Sequence, residues 1–231
     1  MDRNVFSVIL PIYNQSDHIE TIVQEYETVL RKIGHPYELI LVVNGSHDHS
    51  LEICQKLEQQ HVSVRTIHSR KGGWGLAVKL GLKEAQGELL CYTNSARTSP
   101  QDLLLLLLYA YAHPDVIIKA NRKIRESWVR RLGSLLYNLE CRALFDLAYW
   151  DINGTPKVFP RRFEKLLTLE RDDDLIDVEF NALCRIHGYP VLEVPIFSYQ
   201  RFGGKSTTTY KSALKLYWGA YQLRRRLRQR T

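Results

Sequence analysis

The chain has 231 residues, 45% of them hydrophobic, enough to bury the core of one compact α/β domain. Its formal charge of +7 and pI near 9.2 point to anionic partners such as nucleotide phosphates, nucleic acid or an acidic membrane surface. The four cysteines have no paired spacing, which excludes a zinc module, and the longest apolar run, residues 103–108, is too short to span a bilayer.

Residues 5–10 form an apolar run that ends in Pro11-Ile12-Tyr13-Asn14. The run predicts a buried first strand, closed by Pro11, which cannot donate to a ladder. Tyr13 and Asn14 are then left at the C-terminal edge, where ligands sit in an open α/β sheet. Apolar residues from Ile19 to Ile33 recur at helical spacing and Gly34 stops them. Residues 37–43 predict a second strand that ends in Asn44-Gly45-Ser46, and Asp48 or Ser50 can cap a helix reaching about residue 60. Residues 62–67 read as strand three. Lys71-Gly72-Gly73-Trp74-Gly75 opens a helix to Ala85, and 89–92 is strand four. Ser99-Pro100 starts a Leu-rich helix and 116–119 is strand five. Strands alternating with helices argue for a parallel, doubly wound sheet.

The second half is less regular. Trp128, Leu132, Leu135, Leu136 and Leu139 form an apolar stripe on a helix whose other side carries Arg130, Arg131 and Arg142. Residues 151–159 read as a loop entering a short strand, 177–186 as a helix stopped by Gly188, and 191–197 as a strand. Arg201-Phe202-Gly203-Gly204-Lys205-Ser206 is a basic glycine-containing loop before a last helix with Tyr210, Leu214, Tyr217 and Tyr221 on one face. The expected division is a domain over 1–208 and an amphipathic basic helix or tail over 209–231.

Several of these segments carry chemistry. Lys71 and Gly73 precede a helix N-terminus, a natural phosphate or sugar contact; Trp74 is either core or a stacking platform. Arg201, Lys205 and Ser206 can close over a diphosphate, the glycines between them giving freedom to fold. Arg130 and Ser134 are four apart on one helix face, and a hydroxyl beside a guanidinium suits phosphate oxygens. Asp177 and Glu179, two apart, cannot share a face; Asp177 is taken as the one facing the cleft, with Glu179 and residues 172–174 as surface charge. His47 and His49 flank Asp48 in a turn and read as solvent-facing, not as metal ligands.

Taken in order, Pro11-Ile12-Tyr13-Asn14, Asn44-Gly45-Ser46, Gly73-Trp74-Gly75, the segment after strand four, Asp151 with Gly154-Thr155-Pro156-Lys157-Val158-Phe159, Asp177-Val178-Glu179 and the 201–206 loop resemble glycosyltransferase family two. The resemblance covers roughly residues 5–215 and is to the polyprenyl-phosphate, dolichol-phosphate mannose synthase-like branch. It implies a GT-A type three-layer α/β/α sandwich with a mostly parallel sheet and a Rossmann-like nucleotide-binding half. It implies that Pro11, Tyr13 and Asn14 hold the base of a sugar nucleotide, and that Asn44 and Gly45 occupy the turn where family acids contact that base. It also implies that Asp151 lies near the acceptor, unless it is only a turn residue or cap, and that Arg122 faces the acceptor from the end of strand five.

The chain departs from the family after strand four. There the family places Asp-x-Asp, whose carboxylates hold a divalent metal, but this chain reads Thr93-Asn94-Ser95-Ala96-Arg97. Magnesium and manganese want charged oxygen ligands, so no cofactor is expected. Arg97 either offsets diphosphate charge in the metal's place or is a solvated cation; Asn94 remains a donor contact. The implied activity is sugar transfer from a nucleotide-diphosphate sugar to a lipid-linked phosphate by a cytoplasmic protein on an anionic membrane surface. Its competitors are a degenerate, nucleotide-binding pseudoenzyme, transfer to a non-lipid glycan, and a basic nucleic-acid-binding module. The last explains charge alone, so nucleic acid is not an expected partner.

Overall fold

The computed structural model describes residues 5–123, 128–197 and 210–228, without the side chains of 128–132, 210–215 and 228. In chain order the elements are β1 (Phe6–Ile12), α1 (Ile19–Leu30), β2 (Tyr37–Asn44), α2 (Ser50–Gln60), β3 (Val64–Ser69), α3 (Trp74–Glu84) and β4 (Leu89–Tyr92). They continue as α4 (Pro100–Ala112), β5 (Ile117–Arg122), α5 (Trp128–Phe145), β6 (Lys157–Pro160), α6 (Ile176–Ile186), β7 (Val191–Ile196) and α7 (Tyr210–Arg228). The sheet has the order β3-β2-β1-β4-β6-β5-β7. Its neighbours are parallel except at β6, which runs antiparallel to both β4 and β5.

Alternation along the central strands makes the two faces. Val8, Leu10 and Ile12 of β1 with Leu39, Leu41 and Val43 of β2 pack under α1, α2 and α4. Ile9, Ile40 and Val42 point the other way, to α3 and α6. Both faces are apolar because both are covered, as in a doubly wound sheet. A third apolar cluster joins α5, α6 and α7 through Tyr137, Cys141, Phe145, Val178, Ala220, Leu223 and Leu227. All four cysteines are buried and unpaired.

One expectation is corrected. Strand three starts at Val64, not at residue 62: Val62 is fully solvent-exposed, and Val64 N–H donates to the His61 carbonyl in the preceding turn. The stripe of α5 faces outward, with Leu135, Leu136 and Leu139 exposed, while Tyr137, Cys141 and Phe145 make its buried side. On α7 the buried residues are Ala220, Leu223 and Leu227, and Tyr221 is exposed. No helix among the described residues is long and apolar enough to cross a membrane.

Candidate functional site

The C-terminal ends of β1, β2 and β4 lie side by side, so their loops meet at one edge of the sheet. Polar contacts stitch these loops together. Asn14, in a left-handed conformation (φ 48°), donates its N–H to Ser46 Oγ at 3.1 Å and accepts from His47 N–H at 2.9 Å. Ser16 N–H donates to Asp48 Oδ2 at 3.0 Å and Gln15 N–H to Ser50 Oγ at 2.8 Å. Ser95 Oγ, after β4, donates to Gln15 Oε1 at 2.7 Å. Burial raises the Asp48 carboxyl, but the bonds from Ser50 and Ser16 outweigh it and hold the group at about 2.

Within this edge Pro11 is buried in β1 beside Val42 and Tyr13 is exposed. Asn44 is buried, and its side-chain amide donates to the Gly73 carbonyl at 2.7 Å; it ties two turns together. Gly45 has φ +67°, and a Cβ there would stand 2.8 Å from Gly72 Cα, so the turn requires glycine. Lys71 is exposed on the neighbouring loop. After β4, Asn94 Oδ1 accepts from Ala96 N–H at 3.1 Å, Ala96 is buried and Arg97 half-buried. An amide and a methyl group therefore occupy the two places where the metal-binding carboxylates were expected, and these residues do not suit a divalent cation. Among the described residues no group of three or more His, Cys, Asp or Glu could hold a metal.

The other half of the edge is a buried charge network. Arg122, at the end of β5, grips Asp151 in a fork: Nε to Oδ2 at 2.7 Å and Nη2 to Oδ1 at 2.8 Å, with its backbone N–H on Oδ2 at 3.0 Å. Burial lowers the Arg122 pKa, but Asp151 outweighs it and the net shift is upward. Asp151 N–H donates to Glu193 Oε1 at 3.0 Å, and the Glu193 carboxylate pairs with Lys119 at 2.8 Å. Burial raises Glu193, yet Lys119 carries it below the usual carboxylate range. Lys119 also donates to the Asp151 carbonyl.

Lys157 of β6 lies opposite Lys119 of β5. Like charges facing across a ladder repel, and each is neutralised by its own acid. Lys157 pairs with Asp177, which also accepts from Tyr92 Oη at 2.9 Å and from Trp74 Nε1 at 3.2 Å. Burial pushes Lys157 down to about 8, with Asp177 partly opposing. The network thus unites Arg122, Asp151 and Asp177 with Lys119, Lys157, Glu193, Tyr92 and Trp74; of these five, Trp74 alone was weighed by itself, as core or a stacking platform, and Lys157 only as part of a longer motif. The signal was a lysine or glutamate inside an otherwise apolar strand, since a buried charge needs a partner.

Glu179, expected as surface charge, is buried and accepts from the backbone N–H groups of Glu170 and Arg171 at 2.9–3.1 Å. Burial raises its pKa. Ser134 is half-buried on α5. The Arg130 side chain, and Arg201, Lys205 and Ser206, lie outside the described residues.

The model of glycosyl transferase family 2 matches residues 7–168. Two curated relatives, each an undecaprenyl-phosphate 4-deoxy-4-formamido-L-arabinose transferase, come from Pectobacterium atrosepticum and Pectobacterium carotovorum. Each is 24% identical over 221 residues, covering 93% of this chain; the chain spans 65% of their length. Among solved structures, glucosyl-3-phosphoglycerate synthase from Mycobacterium tuberculosis with Mn2+, UDP and glucosyl-3-phosphoglycerate superposes with TM-score 0.73 at 15% identity, over 96% of this chain and 80% of that one. The same enzyme with phosphoglyceric acid alone gives 0.71 at 16%, over 96% and 80%. This likeness is one of fold, and the fold is the expected GT-A sandwich.

Proposed function

The chain belongs to glycosyl transferase family 2, and on that premise we propose that it moves a sugar from a nucleoside-diphosphate donor to the phosphate of a polyprenyl lipid. The observation that carries this reading is the state of the carboxylates. A hydroxyl acceptor needs a base to take its proton. Here Asp151 is clamped by Arg122 and Asp177 is occupied by Lys157, Tyr92 and Trp74. A phosphate acceptor is already an anion and needs only positioning beside the donor. The relatives act on undecaprenyl phosphate by name, and the structural neighbour, of the same fold, binds UDP together with Mn2+.

In this scheme the stitched loops after β1, β2 and β4 take the donor, with Tyr13, Asn14 and Lys71 at its surface. Arg122 offers its remaining donor atoms to the acceptor phosphate, with Arg130 and Ser134 of α5 beside it. Arg97, Arg201 and Lys205 offset the leaving diphosphate electrostatically, in place of a metal held by acids. The protein works at the cytoplasmic face of a membrane, where α5 exposes Leu135, Leu136 and Leu139 and α7 exposes Trp218 and Tyr221 beside Arg225 and Arg226.

The test is transfer of labelled sugar from a panel of nucleotide sugars to undecaprenyl phosphate, with undecaprenol as control. Product is expected only with the phosphate, and EDTA should leave the rate unchanged. Arg122→Ala should abolish transfer while nucleotide affinity stays within about twofold, because the lost contact is to the acceptor; Arg122→Lys, with charge but no planar fork, should recover only part of the rate. A manganese dependence above about tenfold would overturn the metal assignment. Nucleotide binding without transfer from any donor would mark a degenerate member of the family.

A further inference from the structure

Helix α4 is apolar on both sides. Leu103, Leu106, Leu107 and Ala110 are buried against the sheet. The face left outside carries Leu105, Leu108, Tyr109, Tyr111 and Ala112, with Leu104 half-buried at its edge, and helical spacing gathers them into one stripe. Leu105, Leu108, Tyr109 and Tyr111 are 39%, 45%, 40% and 47% exposed. Single exposed apolar residues are ordinary, but a contiguous stripe without a formal charge marks a surface that meets something.

We infer that this face docks a second copy of the chain, the two α4 helices lying antiparallel about a two-fold axis. The charges beside the stripe select that occupant. Helix α1 runs alongside α4 in the same direction: Tyr26 of α1 bonds the Thr98 carbonyl just ahead of α4, and His35, just past α1, packs on the Tyr111 ring at 4.3 Å between centroids. Along that shared direction Glu25 and Asp102 come first, and Lys32, His35 and His113 come last. A two-fold partner therefore sets each acidic end against a basic end and opposes the two helix dipoles. The same symmetry pairs Leu105 with the partner's Leu108 and Gln101 with the partner's Ala112. An anionic membrane would instead meet Glu25 and Asp102 at the rim.

The stripe is about 20 Å long, small against the ~800 Å² per partner of a standard interface. The dimer is accordingly a weak one, formed at tens of micromolar and lost on dilution. Sedimentation velocity of the full chain over that range should show a reversible dimer. Leu108→Glu should weaken it by at least about tenfold with an unchanged melting temperature, since the site is solvent-facing; Leu136→Glu on α5 should leave it intact. The double variant Gln101→Cys/Ala112→Cys should form a disulfide-linked dimer on mild oxidation, because the native cysteines are buried. Gln101→Cys alone should not, its two copies being about 16 Å apart along the seam. A monomer at every concentration, a dimer indifferent to Leu108→Glu, or equal cross-linking of the single and double cysteine variants would each overturn the inference. So would a monomer whose vesicle binding is lost with Leu108→Glu, which would make lipid the occupant.

Discussion

Asp177 and Lys157 form a pair in which neither residue can be changed alone without penalty. Asp177→Ala leaves the buried Lys157 without its carboxylate, beside the Tyr92 and Phe180 rings, and removing one partner of a buried pair costs about 3–5 kcal/mol. The double variant Asp177→Leu/Lys157→Met removes both charges and should cost clearly less than the single one in urea unfolding; equal losses would show that the two groups are not coupled. Asp48 gives a pH signature of its own. Its folded pKa of about 2 lies below the ordinary 3.8, so between these values the unfolded chain binds more protons. The Asp48 contribution is therefore complete above about pH 4 and is lost as pH falls towards 2. Asp48→Ala should lower the melting temperature at pH 7, and the gap from the parent protein should close near pH 2.

At the scale of elements, the turn after β2 depends on its glycine. Gly45→Ala would place a Cβ at positive φ and 2.8 Å from Gly72, a cost of about 1–3 kcal/mol, and would disturb the turn that Asn44 holds to Gly73. Gly34 has a similar φ of +71° but nothing within 4 Å; Gly34→Ala should cost less in the same urea titration and leave nucleotide affinity unchanged. The order of strands and helices through β5 was legible because the central strands are apolar on both faces and the helices between them carry stop or start signals, as Gly34 and Ser99-Pro100 show. The direction of β6 was not legible: four residues of apolar pattern look the same in either sense, and only pairing with β4 and β5 decides. The stripe of α5 stood out by periodicity, which does not by itself say which side the core occupies. The site was half legible. Turn residues such as Asn14 and Asn44 stand out by type, whereas the Arg122–Asp151 and Lys157–Asp177 pairs join residues 29 and 20 apart, which only the fold brings together.

At the scale of the whole molecule, two apolar faces reach solvent among the described residues, and their borders differ. The α4 face is bordered by acids at one end and by lysine and histidine at the other, whereas that of α5 and α7 lies beside Arg224, Arg225 and Arg226. With a net charge of +7, the second face should bind anionic vesicles at low salt, each nearby arginine adding about 1 kcal/mol, and release them as salt screens the attraction. Flotation of the parent protein and of Leu136→Glu measures this: recovery should fall with salt and with the substitution. Equal recovery on neutral and anionic vesicles would remove the electrostatic component.

The distribution of the four cysteines makes the protein a reporter of its own opening. Cys54 and Cys91 belong to the layer under α1, α2 and α4, Cys184 to the opposite layer and Cys141 to the α5–α7 cluster. Burial pushes the Cys54 and Cys141 thiols up to about 12 and the other two higher still, so alkylation proceeds only through opened states. Peptide mapping of the alkylated thiols then times the loosening of each layer separately, and shows whether donor binding slows one layer or the whole molecule.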